Sequence, residues 1–79
     1  MSVKIEELKK ENIRLLVELR RLEIDLAIFM FLKINSQFFG YNNEEFIKID
    51  NETLMIERLI DEVLRRAENN SEQFVLLIN

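Results

Sequence analysis

"IEELKKENIRLLVELRRLEIDLAIF", residues 5–29, repeats an apolar residue at alternating steps of three and four. With Ile5 as heptad position a, the a residues are Ile5, Asn12, Leu19 and Leu26, and the d residues are Leu8, Leu15, Leu22 and Phe29. Seven of these eight are apolar. A seam of that kind marks a helix made to pack on another helix, and the eight residues together are the predicted oligomer interface. The exception is Asn12. A single Asn at an a position commonly fixes the register of a two-stranded coil at some cost in stability, so replacing it with Leu is expected to stabilise the protein.

The residues flanking the seam complicate a simple parallel dimer. Such a dimer sets Lys4 against Lys9 and Glu18 against Glu23, and each pair repels. Apolar residues also occupy flanking positions, at Leu16, Met30 and Leu32. A second stripe, Ile13, Val17, Ile24, Ile28 and Phe31, with Ile34 nearby, lies on the far side of the same helix. The expected cover for this second face is the chain's own C-terminal half, and the alternative is a larger helical bundle or an exposed docking surface.

Working outward, nothing breaks a helix before Gly40, the only glycine, and there is no proline. A helix over 3–39 would be about 55 Å long, roughly twice the diameter of a compact domain of this size. Gly40 suits the left-handed residue that closes a helix. Residues 40–51 read as a connection, within which 46–49 are a short strand or one helical turn. Asp50 or Asn51 can then cap a second helix over 52–69, with Ile56, Leu59, Ile60, Val63 and Ala67 on one side. The tail, 73–78, is almost wholly apolar; it reads as a short β-strand, with a helical tail as the alternative.

Composition narrows the function. The chain has 79 residues, 48% of them apolar and 33% charged, with a net charge of −4. That is one domain, 1–79, near the size at which association becomes a source of stability. There is no Cys or His, which removes disulfides, the usual zinc sites, Cys and Ser–His nucleophiles and the usual proton shuttle. The acidic balance disfavours a phosphate-gripping role. The apolar run 26–32 is far shorter than the roughly 20 residues that span a bilayer, and charges stand where a signal peptide would be apolar. A cytoplasmic protein with no membrane attachment, in a cell or a virus-infected host, is expected.

No residues form a recognisable catalytic, metal or cofactor motif, and none of those roles is expected. The adjacent acids Glu6–Glu7, Glu44–Glu45 and Asp61–Glu62 point about 100° apart on a helix and sit among polar neighbours. Arg20 and Arg21, like Arg65 and Arg66, are candidate contacts for a partner or, if oligomerisation gathers them, for a phosphorylated small ligand. Too few residues precede the first heptad for a basic-region zipper, so nucleic acid is the weaker alternative. Phe38, Phe39 and Tyr41 form a candidate partner anchor.

The expected fold is therefore mainly α: a long N-terminal coiled-coil helix, a second amphipathic helix packed on it, a possible C-terminal strand, and a homo-oligomer. This architecture is loosely similar to the short coiled-coil assembly chaperones and host-directed inhibitors encoded by bacteriophages, a resemblance that carries no individual residues. The expected function is non-enzymatic: a homo-oligomeric protein–protein interaction module acting as adaptor, assembly factor or inhibitor. The alternatives are an oligomer that sequesters a nucleotide-like ligand and a nucleic-acid-binding regulator.

Overall fold

The computed structural model describes residues 3–79 as two helices, α1 (Val3–Ile34) and α2 (Asn43–Ile78). They run antiparallel as a hairpin of 58 × 15 × 13 Å. Two side-chain contacts set the register. The Asn70 amide nitrogen donates to Asn12 Oδ1 at 3.0 Å, and Lys33 forms an ion pair with Asp50. Each step up α1 is therefore matched by one step down α2.

The helix-on-helix packing follows the predicted seam. Leu8, Leu15 and Leu22 are buried on α1, and Thr53, Ile56, Val63 and Asn70 on α2. Leu15, Leu22, Ile56 and Val63 form one core, against which Leu19, Leu26, Phe29, Ile60 and Ala67 pack. On α2 the inward residues recur at 46, 49, 53, 56, 60, 63, 67, 70 and 74, again in steps of three and four. Thr53 is tolerated there because its hydroxyl donates to the Ile49 carbonyl one turn back, at 2.8 Å.

α2 is much longer than the expected 52–69. It starts at Asn43, and its cap is Asn42 rather than Asp50 or Asn51: the Asn42 side chain accepts from the Glu45 backbone N–H at 2.9 Å. Glu44 and Glu45 complement the positive end of the helix in its first turn. Residues 46–49 are helical, not a strand. The C-terminal strand over 73–78 is also absent, since α2 continues to Ile78. No glycine or proline interrupts 69–78, and the inward spacing carries on through Asn70 and Phe74.

Regular α1 ends at Ile34, short of the expected residue 39, and residues 35–40 are turns. Backbone hydrogen bonds join Phe39 N–H to the Asn35 carbonyl, Gly40 N–H to Gln37 and Tyr41 N–H to Ser36. The last two are the paired bonds of a Schellman closure, and Gly40 takes the left-handed position with φ 71°. A Cβ there would meet nothing within 4 Å, so only the backbone would be strained. Gly40→Ala is expected to cost about 1 kcal/mol and lower the Tm by about 4–8 °C, measured by thermal circular dichroism.

Candidate functional site

The distribution of apolar side chains around α1 defines the candidate site. The predicted interface residues Leu8, Leu15 and Leu22 are buried, and Ile5, Leu19, Leu26 and Phe29 are half-buried. Within one chain, all of them and Asn12 face α2. The second stripe stays outside: Ile13, Val17, Ile24, Ile28, Phe31 and Ile34 are exposed, Ile24 at 62%. This reverses the expectation that the C-terminal half covers the second stripe. The physical reason is matching: α2 carries a single seam with regular spacing, and the first face of α1 offers the same spacing, its one polar member, Asn12, meeting Asn70 across the hairpin. The second stripe is interrupted by Arg20 and Arg21 between Val17 and Ile24.

α1 is thus apolar on two opposite faces, about 180° apart at 100° per residue. Its charges are sorted between them. Lys10, Arg14 and Arg21 fall along one edge of the outer stripe, and Lys9 and Arg20 along the other. Glu7, Glu11, Glu18, Glu23 and Asp25 lie further round towards α2, Glu18 and Asp25 beside Arg14 and Arg21, and only Glu6, near the N-terminal end, shares the outer arc and approaches Lys9 at 3.7 Å. α1 has seven Lys and Arg against six Asp and Glu, hence +1; α2 has four against nine, hence −5. The outer stripe is edged by cations in its N-terminal part, up to Arg21, on an acidic chain.

Two flanks run between the helices. One carries apolar clefts, lined by Leu8, Ile13 and Phe74, by Leu16, Leu19 and Leu64, and by Met30, Ile34 and Phe46. At its middle Arg20 and Glu23 on α1 lie level with Glu57 and Asp61 on α2, a belt of mixed sign. The opposite flank is richer in charge, with Arg14, Glu18, Arg21, Asp25 and Glu52 beside Met55 and Leu59.

The candidate arginines do not converge within the chain. Arg21 and Arg66 lie on the charged flank, where each lines a cleft with Glu18, and Arg66 is held by Glu62 at 3.1 Å. Arg20 is on the apolar flank and Arg65 on the outer face of α2. The aromatic candidates do come together. Phe39 lies 5.4 Å from Phe38, 5.8 Å from Tyr41 and 6.2 Å from Phe31, measured between ring centres. Phe38 is 85% exposed. Phe31 therefore joins the aromatic turn to the outer stripe, a link that linear spacing does not reveal because the chain reverses between them.

No family model matches the chain, and no curated protein or solved structure resembles it significantly. The candidate site stands on its geometry alone. Among the described residues, no helix is long and apolar enough to cross a membrane, and no three acidic side chains gather as a metal-binding group.

Proposed function

We propose that the protein is a non-enzymatic, homo-oligomeric interaction module of the cytoplasm, working as an adaptor, assembly factor or inhibitor. The observation that carries this reading is the surface left uncovered. The chain exposes 6433 Å², whereas a compact monomer of its mass exposes about 5,000 Å². The excess, roughly 1,400 Å², is more than the ~800 Å² that one partner contributes to a stable interface. Much of the uncovered side-chain surface is large and apolar, on the outer stripe, the cleft-bearing flank and the aromatic turn. One helix covers only one of the two opposite apolar faces of another, and a contiguous apolar face left in water marks a surface for a partner.

A phosphorylated-ligand site made from Arg20, Arg21, Arg65 and Arg66 would have to form between chains, since these residues diverge within one. No observation favours a nucleic-acid surface. Light scattering coupled to size exclusion at micromolar concentration is expected to give at least twice the 9.5 kDa chain mass. A monomer at that concentration would remove the homo-oligomer from this reading.

A further inference from the structure

We infer that the outer stripe of α1 docks a helix of another protein, one whose apolar face is edged by acidic residues. The inference deepens the interaction-module reading and rests on it. The stripe runs from Ile13 to Ile34, about 32 Å along the helix, which accommodates a partner helix of ~21 residues. Such a partner would read Ile13, Val17, Ile24, Ile28 and Phe31 with apolar residues at steps of three and four.

Charge selects this occupant over the others. Five of the seven cations of α1 flank the N-terminal part of the stripe, Lys9 and Lys10 just before Ile13 and Arg14, Arg20 and Arg21 beside it, while five of its six acids lie further round towards α2. A second α1 laid parallel along the stripe would bring these like charges together, and laid antiparallel it would set them against residues 26–34, which hold no acid to meet them. The acidic α2 of a second copy supplies the charge but no continuous apolar stripe, because on its outer face Asn51, Arg58, Arg65 and Glu72 separate Ile47, Leu54 and Leu76. A foreign helix with Glu or Asp at its edges meets both requirements. Self-association is left to the middle of the cleft-bearing flank, at Leu16, Leu19 and Leu64, which lies clear of the stripe. The edge cations are exposed, so they contribute more to partner choice and association rate than to raw affinity, and their effect falls with salt.

The test uses the full chain and two helical peptides of ~21 residues that share a Leu face, one edged by Glu and the other by Lys. Fluorescence anisotropy at low salt is expected to show the Glu-edged peptide bound at least tenfold more tightly, with the difference shrinking at high salt. Arg20→Glu with Arg21→Glu is expected to reverse the preference. Ile24→Glu should weaken binding at least tenfold while leaving the circular dichroism melt in place, since Ile24 is already exposed. Equal binding of the two peptides, or binding of neither, overturns the inference. So does stripe-dependent binding to vesicles containing phosphatidylserine, which would make the face a membrane surface, or loss of self-association in Ile24→Glu, which would make it the contact between copies. A monomeric mass combined with selective peptide binding would overturn the oligomer and leave the docking face standing.

Discussion

Leu15→Ala is expected to destabilise the hairpin by about 2–4 kcal/mol and lower its Tm by more than about 10 °C. Leu15 is 4% exposed and lies in the core with Leu22, Ile56 and Val63. A domain of this size has a total stability on the order of 4–12 kcal/mol, so a single truncation removes a large share. The lower part of the range for Leu-to-Ala changes applies because the core is thin, and no described side chain is completely enclosed. Val17→Ala, on the opposite face of the same helix, is expected to change stability by less than about 0.5 kcal/mol. Urea unfolding of both variants measures the contrast as a shift in midpoint at constant slope. Equal losses at Leu15 and Val17 would mean that α2 does not pack on the seam face.

Asn12→Leu is expected to destabilise by about 1–3 kcal/mol, the opposite of what a lone polar seam residue implies. The Asn12 side chain accepts from Asn70, which is 6% exposed and has little access to water once that acceptor is gone. Asn70→Leu is expected to cost less, because Asn12 is itself exposed and water can replace its partner. The double change removes both polar groups and adds apolar contact, so it should be at least as stable as the unmodified protein. The resulting coupling energy, about 1–3 kcal/mol, is read from a double-mutant cycle in denaturant. Independent, additive effects would show that the two amides do not depend on each other.

The seam of α1 was readable because apolar residues fill it almost without exception, and it led directly to a mainly helical protein with helix-on-helix packing. The extent of α2 was not readable in the same way, and Asn70 explains most of the failure. Read alone, residues 69–71 look like a break, and the apolar residues beyond them then look like a strand. Across the hairpin from Asn12, Asn70 becomes an inward-facing member of a continuous seam. Thr53 hides the other end of α2 in a similar manner, because its hydroxyl is satisfied by the helix itself and marks no surface position. The candidate site was legible in its parts, with the second stripe, the paired arginines and the aromatics all visible. Which face α2 would take depends on spacing compared between two distant segments, and the join of Phe31 to Phe38, Phe39 and Tyr41 depends on the reversal of the chain.

The order in which the hairpin can assemble follows from its closed turn. Layers next to 35–42 join residues near in sequence, whereas the Asn12–Asn70 layer closes a much longer loop, and each added layer costs only slightly more chain entropy than the one before. Assembly can therefore zip from the Gly40 end, and the open end should fray first in native-state hydrogen exchange. The two asparagines lie towards that fraying end. There a slip by one heptad would leave each amide opposite an apolar side chain, so the pair corrects alignment where the zipper is least constrained.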